Sequence, residues 1–598
     1  MPDDLNLVNK LYYGDNLEIM RDHIPIECVD LIYLDPPFNS KATYNVLFHE
    51  KDGSDSPAQI TAFEDTWRWD MGTAAIYQEL VEDGPAKLSD LIQALRSFLG
   101  TNDMMAYLTM MAVRLVEMRR VLRNTGSIYL HCDPTASHYL KLVMDSVFGV
   151  KNFRNEIIWR RTATHGKAKR YGPIHDVILF YTKSDEYFWS YPTRPYMRGH
   201  VEGYFVKDEK GWRTNYYGNV LTGSGTRTGE SGKPWRGFDP TAKGRHWAIP
   251  RAVVELIEED LSALTQHEKL DRLYELGYIR IVEGQAWPIY EHYLSPSDGM
   301  AIGDIWAYEP YTEGSVFGTD DGIDKDVRWL SPQDQERLGY PTQKPEGIIE
   351  RITRASCPQG GLVLDPFCGC GTTIAVAEHL HRRWIGIDIT FLAIDLMERR
   401  LKDSFGKQLA PYSVFGKPTD LPGARALSEA DKHQFEFWAR SLVHAKPAQG
   451  EKKGADRGID GVINFFDDES GKAKKIVVQV KSGHVSVHQV RDLCHVVGRE
   501  KAVMGVFVTL EAPTLPMKKE AAGFGFYTPE HYPDRNYPRM QLLTIEELLA
   551  DAEVKYPKTL APQATFKKAA AKKKAPRSSD RGHPEAMFED GLLANEDE

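Results

Sequence analysis

The chain has 598 residues and a formal net charge of −11, with 42% hydrophobic and 27% charged residues. This length allows two to four domains. No run reaches the roughly 20 apolar residues that a membrane span requires, and the acidic start Met1-Pro2-Asp3-Asp4 has no apolar signal segment. We therefore expect a cytoplasmic protein without membrane contact. Six cysteines over this length do not form a disulfide framework.

Residues 1–185 and 335–405 predict an α/β fold, because strand-like runs that end at turns alternate with helical patterns. The predicted strands span residues 29–34, 126–131, 361–364 and 384–387, and the predicted helices span residues 103–123, 136–148, 345–356, 372–381 and 391–402. Residues 186–334 interrupt this alternation with many Gly, Pro and aromatic residues. We interpret them as an inserted module.

The inserted module lies in the most basic part of the chain. Residues 151–250 hold 18 Lys and Arg against 9 Asp and Glu, together with 18 aromatic residues. Basic residues neutralise phosphates and aromatic rings stack on bases, so this composition favours a nucleic-acid surface. A Tyr- and Trp-rich β-domain with a solvated basic face explains it equally well, and composition leaves both interpretations open.

The remaining chain predicts a second α/β domain. Residues 406–428 are predicted to be a linker and residues 429–550 the domain, with strands at 475–480 and 503–508. Residues 551–598 are of low complexity, with a Lys/Ala/Pro segment before an acidic end. Such a composition predicts a disordered tail.

The run Asp35-Pro36-Pro37-Phe38 follows the first predicted strand and indicates a site for an exocyclic amine. The amine of adenine is a poor nucleophile, because its lone pair is delocalised into the ring. The Asp35 carboxylate and the Pro36 carbonyl are two acceptors for its hydrogens, and the paired prolines stiffen the turn. Phe38 offers a ring for stacking on a base flipped out of the duplex. The alternative is a strand-ending turn in which Asp35 caps a helix.

The run Asp365-Pro366-Phe367-Cys368-Gly369-Cys370-Gly371-Thr372 follows the third predicted strand and indicates a nucleoside cofactor. Its two glycines permit a tight turn, and the N-terminus of a following helix suits a carboxylate. Asp388 ends the next strand, where an acid commonly binds ribose hydroxyls. A dinucleotide-binding dehydrogenase is the alternative, but Ile374 stands where that motif needs its last Gly. A metal at the two cysteines lacks a second ligand pair nearby.

These motifs together resemble those of the β-class amino-methyltransferases that act on DNA, in which the Asp-Pro-Pro-aromatic segment precedes the cofactor glycines. Further matching segments are Tyr13-Gly14-Asp15-Asn16-Leu17-Glu18, 126–133, 155–159 and Tyr340-Pro341-Thr342-Gln343-Lys344-Pro345, in which Tyr340 replaces the usual His. The resemblance implies a Rossmann-like fold with S-adenosylmethionine as cofactor. It implies cofactor contacts for Asp15, Thr342, Lys344, Asp365, Phe367, Gly369, Gly371, Thr372 and Asp388, and catalytic roles for Asp35, Pro36, Pro37 and Phe38.

The resemblance also implies a substrate. In this family an initial Asp before Pro-Pro usually accompanies adenine N6 as the target, whereas cytosine N4 enzymes more often have Ser. Adenine N6 is therefore favoured, and cytosine N4 and a weaker RNA hypothesis stay open. The insert, including residues 232–238 and 243–247, would recognise the target sequence in double-stranded DNA. A homodimer is compatible with this interpretation.

The run 456–461, followed by Gln479-Val480-Lys481, resembles the Mrr-like branch of the PD-(D/E)xK restriction nucleases. The resemblance implies a restriction-endonuclease-like α/β domain in which Asp460 and Gln479 bind Mg²⁺ and Lys481 orients or activates the attacking water. Gln479 stands where Glu is more common, and Glu436 is a candidate for a further carboxylate. A module of this shape that binds DNA without cutting it is the alternative.

The main hypothesis from the sequence is a bifunctional enzyme in which methylation by the first domain protects DNA from cleavage by the second. No Gly-x-x-x-x-Gly-Lys-Ser/Thr loop occurs in the sequence. ATP-driven translocation within this chain is therefore not expected.

Overall fold

The computed structural model describes residues 8–37, 43–49, 55–64, 68–164, 169–209, 211–214, 219–254, 261, 263–294, 299–331, 333–338, 340, 342–447, 459–465, 473–529, 534–557, 569–572 and 574–575. These residues form two compact units. The first contains the described residues of 8–189, 304–306 and 326–575, and the second contains those of 190–303 and 307–325. The helices of the described part are too short or too polar to span a bilayer.

A nine-stranded sheet forms the centre of the first unit. In chain order its strands are β1 (Asn9–Tyr13), β2 (Val29–Leu34), β3 (Leu122–Cys132), β4 (Phe153–Arg160), β5 (His175–Thr182), β6 (Ile305–Trp306), β7 (Leu362–Asp365), β8 (Arg383–Asp388) and β9 (Tyr412–Phe415). Their order across the sheet is β6-β4-β5-β3-β2-β7-β8-β1-β9. β5 runs antiparallel to both neighbours, and the other pairs are parallel.

Helices cover both faces of this sheet, which explains why the strands at its centre are apolar on both sides. All six residues of β2 and all four of β7 are buried. The helices are Asn16–His23, Met71–Glu82, Ala86–Leu99, Asp103–Val121, Ser137–Phe148, Glu346–Ser356, Thr372–His379 and Phe391–Phe405. A hairpin, Thr43–His49 with Asp55–Glu64, follows β2. The predicted Rossmann-like α/β fold is confirmed.

The two motifs follow neighbouring strands. β2 and β7 lie side by side at the centre of the sheet, with Val363 paired to Leu31 and Leu364 to Ile32. Because they are parallel, their carboxyl ends meet at the same edge of the sheet. Open α/β sheets bind their ligands at this edge.

A five-stranded sheet organises the C-terminal part of the first unit. Its strands are β10 (Lys446–Pro447), β11 (Gly461–Phe465), β12 (Lys474–Lys481), β13 (Met504–Thr509) and β14 (Met540–Thr544), in this spatial order. The β12, β13 and β14 strands are parallel, and the other pairs are antiparallel. The helices are Leu421–Ala430, Lys432–Leu442, Val487–Arg499, Leu515–Gly523 and Ile545–Leu549, with a small hairpin of Phe526–Tyr527 and Tyr537–Pro538.

Two predictions about connecting segments need correction. Residues 406–428, predicted to be a linker, contain β9, whose backbone extends the main sheet beside β1, and the start of helix Leu421–Ala430. Part of the predicted disordered tail is also ordered. Val554 is buried in the C-terminal core, and Lys572 and Lys574 form ion pairs with Glu346 and Glu378. The carboxylates that hold these lysines come from remote helices, which composition does not reveal.

The second unit consists of short hairpins and helices. The hairpins pair Phe205–Asp208 with Gly211–Thr214, Thr222–Ser224 with Arg245–Trp247, Ile279–Arg280 with Ile289–Tyr290 and Thr193–Arg194 with Met300–Ala301, and the helices are Arg198–Tyr204, Arg251–Val254 and Gln266–Glu275. Trp235 and Trp247 are buried in its own core. These two aromatic residues of the basic segment are therefore structural. The insert, predicted over 186–334, is interrupted at 304–306 and gives way to the first unit at 326.

Candidate active site

The two motifs line one cavity of about 280 Å³ at the carboxyl ends of β2 and β7. Asp35, Pro36 and Pro37 contribute from the first motif, and residues 365–370 and 372 from the second. Asp15, Thr342, Lys344 and Asp388 also line it. Phe38, predicted to stack on the target base, and Pro341 lie outside the described residues.

One carboxylate oxygen of Asp35 accepts a hydrogen bond, and the other is buried without a donor among the described residues. Its Oδ2 accepts a hydrogen bond from Lys344 Nζ at 2.5 Å, and both side chains are mostly enclosed, at 15% and 11% exposed. Its Oδ1 is buried, and no donor of the described residues reaches it. The resemblance implied a cofactor contact for Lys344. Lys344 lines the cavity, and its ammonium group donates to the carboxylate of the first motif.

The glycines of the second motif are required by the backbone. Gly371 has a φ of +74° and caps helix Thr372–His379, and a Cβ there would lie 2.4 Å from Cγ of the buried Met397. Arg400 holds the turn from behind, since its Nη1 donates to the Cys370 carbonyl and to Thr372 Oγ1, both at 3.1 Å. The second motif ends at the N-terminus of a helix whose first two residues, Thr372 and Thr373, line the cavity, and such an end suits a carboxylate.

Two acids of the cavity have raised pKa values, the buried Asp365 and the half-buried Asp388. Burial raises the pKa of Asp365 to about 7 and the pKa of Asp388 to about 6, although hydrogen bonds oppose both shifts. Asp365 Oδ1 accepts from the Phe367 N–H at 3.0 Å. Asp388 accepts from the Gly369 N–H at 2.9 Å and from the Thr390 hydroxyl at 2.8 Å. Asp388 is thus fixed against the glycine turn, one strand away.

Asp15 is joined to a buried arginine. Its Oδ1 caps helix Asn16–His23 through the Leu17 N–H at 2.7 Å, and its Oδ2 accepts from Arg114 Nη2 at 2.8 Å. Arg114, only 4% exposed, also donates to Asn16, whose amide donates to the Pro366 carbonyl at 2.8 Å. Arg114 was not among the site residues predicted from the sequence. The one sequence signal for a buried, paired arginine was its position among the apolar residues of helix Asp103–Val121.

The charge of the cavity fits a cationic cofactor. Asp35 and Asp15 are balanced by Lys344 and Arg114, whereas the described partners of Asp365 and Asp388 are neutral N–H and hydroxyl groups. S-adenosylmethionine carries a sulfonium and an ammonium group against one carboxylate. An acidic cavity with a helix N-terminus at one side therefore fits its charges.

Tyr340, at the position of the usual His, forms a wall of the cavity. It is buried, and its Cε1 lies 3.2 Å from where a Cβ on Gly369 would stand. Its ring therefore packs directly on the glycine turn. The departure from the family pattern preserves an aromatic contact at this place.

The C-terminal sheet brings together the three residues of its motif. Asp460 directly precedes β11, and its backbone N–H donates to the Val478 carbonyl at 2.9 Å. Gln479 and Lys481 lie two positions apart on the neighbouring β12. Asp460 Oδ2 accepts from the Val480 N–H at 2.7 Å, and Gln479 Oε1 is buried with no donor among the described residues.

The fit of Mg²⁺ to this place is incomplete. The amide oxygen of Gln479 and the carboxylate of Asp460 are ligands of the type that a hard cation takes. However, the described residues contain no cluster of three His, Cys, Asp or Glu side chains able to hold a metal. Glu436, the candidate third carboxylate, lies 3.9 Å from Arg440 in an ion pair.

A sheet whose central strands end in an amine-holding turn and a glycine turn around one acidic cavity defines a methyltransferase site. Residues 29–399 match the family described as DNA methylase, of the N6/N4 class. This match covers more than half of the chain, so the chain belongs to that family and is a DNA methyltransferase that uses S-adenosylmethionine. Residues 432–550 match the family described as NACHT-associated inactive restriction endonuclease 1.

Two curated relatives and one solved structure illustrate the similarity. The type II methyltransferase M.EcaI of Enterobacter cloacae is 27% identical over 434 residues, 67% of this chain and 86% of that protein. The type III enzyme StyLTI Mod subunit of Salmonella typhimurium is 24% identical over 383 residues, 62% of this chain and 50% of that protein. A DNA modification methylase of Thermus thermophilus, solved in complex with S-adenosyl-L-methionine, covers 68% of this chain and 97% of its own, with 14% identity and a TM-score of 0.30.

Proposed function

We propose that this chain transfers the methyl group of S-adenosylmethionine to N6 of adenine in double-stranded DNA. One observation carries the proposal: Asp35, whose buried Oδ1 has no donor among the described residues, lines the same cavity as the glycine turn. A buried acceptor without a donor is costly unless a ligand supplies one. An exocyclic amine supplies an N–H at this place.

The chemistry follows from the two oxygens of Asp35. When bound, S-adenosylmethionine supplies an electrophilic methyl group. Asp35 Oδ1 accepts one N–H of the amine and the Pro36 carbonyl accepts the other, which directs the nitrogen lone pair outward. The carboxylate stabilises the positive charge that develops on the nitrogen, while Lys344 fixes its orientation through Oδ2. The methylated amine is strongly acidic and loses a proton to water, so no strong general base is needed.

The test is methylation by the full chain of unmodified duplex DNA, followed by digestion to nucleosides and mass spectrometry. We expect N6-methyladenine from the wild type and from an exposed-site control, Asp492→Asn. We expect none from Asp35→Ala. Methylation by Asp35→Ala refutes the assignment of the site. N4-methylcytosine instead assigns the alternative base, and competition by RNA that exceeds competition by duplex DNA assigns the alternative substrate.

We propose Mg²⁺-dependent DNA cleavage as a second activity, on the observation that Gln479 Oε1 is a buried acceptor without a described donor, on the strand that also carries Lys481 and binds the Asp460 carboxylate through the Val480 N–H. The incomplete ligand set and the match to a family described as inactive count against it. Cleavage of unmethylated plasmid with Mg²⁺ that is lost in Lys481→Ala supports a restriction–modification enzyme. No cleavage by the wild type assigns a module that does not cut DNA.

The type II and type III relatives place such methyltransferases in restriction–modification. We propose the same setting here, in the cytoplasm. Plasmid that this chain has methylated beforehand should then resist its own cleavage. Light scattering of the purified chain tests the homodimer, which should show twice the chain mass of 67.8 kDa.

A further inference from the structure

Helix Lys432–Leu442 of the C-terminal domain packs against the elements that carry the cofactor motif. Phe391, three residues after Asp388, stacks on Tyr13 with ring centroids 3.6 Å apart. The same Phe391 lies in one core with Phe435 and Trp438 of this helix. The two sheets of the first unit therefore share a hydrophobic core beside the cavity.

Phe437 of this helix packs behind the cavity wall. It lies with Leu392 and Leu396 in the cluster around Tyr340 and Cys370. Tyr340 in turn packs on the glycine turn at Gly369. A side chain from the C-terminal domain therefore supports the turn that would hold the cofactor.

Arg440 connects Phe437 to the motif of the C-terminal sheet. The guanidinium of the buried Arg440 lies 4.4 Å from the centroid of the Phe437 ring. Arg440 Nη1 also donates to the Asp460 carbonyl at 2.5 Å. A series of contacts thus connects the cluster of Tyr340 and Cys370, through Phe437 and Arg440, to the Asp460 backbone.

We propose that Phe437 is a positioning residue for cofactor binding, and that the C-terminal domain is a structural part of the methyltransferase site. Phe437 acts through Tyr340 and does not touch the cofactor. By thermodynamic reciprocity, cofactor binding must then stabilise helix Lys432–Leu442 and the segment around Asp460. The proposal rests on S-adenosylmethionine as the cofactor of this cavity, and it holds whether or not the C-terminal domain cuts DNA.

The first test is the affinity of the full chain for S-adenosylmethionine, measured by isothermal titration calorimetry. Phe437→Ala should weaken binding by about fivefold or more, within the usual range of coupling between sites. Phe437→Leu keeps an apolar side chain against the cluster of Tyr340 and Cys370. Its affinity for S-adenosylmethionine should therefore be close to that of the wild type. Phe524→Ala is the matched control, because Phe524 is also half-buried in this domain under an arginine, Arg539, at 4.6 Å. Equal affinities of the Phe437→Ala and Phe524→Ala proteins overturn the proposal.

The second test is hydrogen exchange of the wild type with and without S-adenosylmethionine. We expect slower exchange in residues 432–442 and at Asp460 when the cofactor is bound, and no change in helix Leu515–Gly523. Unchanged exchange in residues 432–442 overturns the reciprocal coupling. A wild type that does not bind S-adenosylmethionine overturns the proposed function itself, which calorimetry distinguishes from a loss confined to Phe437→Ala.

Discussion

Replacement of Lys344 by Met separates the two roles that this lysine could have. The resemblance implies a cofactor contact, whereas the structure places its ammonium 2.5 Å from Asp35 Oδ2. Met keeps the length and the apolar stem of the side chain but removes the charge and the donor. Asp35 is then left uncompensated in a cavity that also holds the acids Asp365 and Asp388, and its carboxylate is free to rotate away from the target amine.

The expected loss follows from the contact itself. A hydrogen bond between charged groups contributes about 1.5–3 kcal/mol, and both side chains are largely enclosed. If the bond orients Asp35 in the transition state, kcat should fall roughly 10- to 150-fold. The assay is single-turnover transfer of labelled methyl groups to duplex DNA, with calorimetry of S-adenosylmethionine alongside.

The control for Lys344→Met is Lys141→Met, which breaks a lysine–carboxylate pair of similar length, to Asp145 at 2.8 Å, outside the cavity. Its kcat should equal that of the wild type. An unchanged kcat in Lys344→Met refutes the orienting role. A weakened cofactor affinity with unchanged kcat assigns Lys344 to the cofactor, as the resemblance implied.

Two further predictions concern the cofactor half of the cavity. Gly371→Ala should lower the free energy of unfolding in urea by about 2 kcal/mol or more, because the added Cβ strains the left-handed backbone of this position and clashes with Met397. Gly360→Ala, at a φ of +71° with open space around it, should lower the free energy of unfolding only through backbone strain. If the two variants lose equal free energy of unfolding, the clash with Met397 is contradicted. Asp365→Asn should stabilise the chain more at pH 8 than at pH 5. The folded pKa of about 7 lies above the reference 3.8, so the wild type loses stability as pH rises through this window. Thermal unfolding of both proteins across pH measures the difference, and a constant difference contradicts it.

The strands and helices around the cavity could be predicted because the signals for them lie in short, continuous stretches of the sequence. β2 and β7 are continuous apolar runs, which parallel strands covered on both faces require. The turns after them are marked by Pro and Gly, whose backbone constraints are local as well. The fold class and the meeting of Asp35 and Asp365 in one cavity follow from these signals and from the parallel order of the strands.

The missed features depend on pairs of residues remote in the chain. Lys344 is 309 positions from Asp35, and Arg114 is 99 positions from Asp15. A local sequence pattern does not predict which carboxylate pairs with a given basic side chain. The burial of Trp235 and Trp247 was equally hidden, because composition counts aromatic residues without telling a core from a binding surface.

The contacts behind the cavity indicate a structural role for the C-terminal domain at the cofactor turn, whether or not this domain has an activity of its own. A separate module joined by a flexible linker would leave the cofactor turn independent of it. Residues 406–428 instead add a strand beside β1, and Phe437 lies behind Tyr340. Because Tyr340 packs directly on Gly369, movement of helix Lys432–Leu442 has to be accommodated at the glycine turn. Methyl transfer and the C-terminal domain are therefore expected to respond to each other through one shared core.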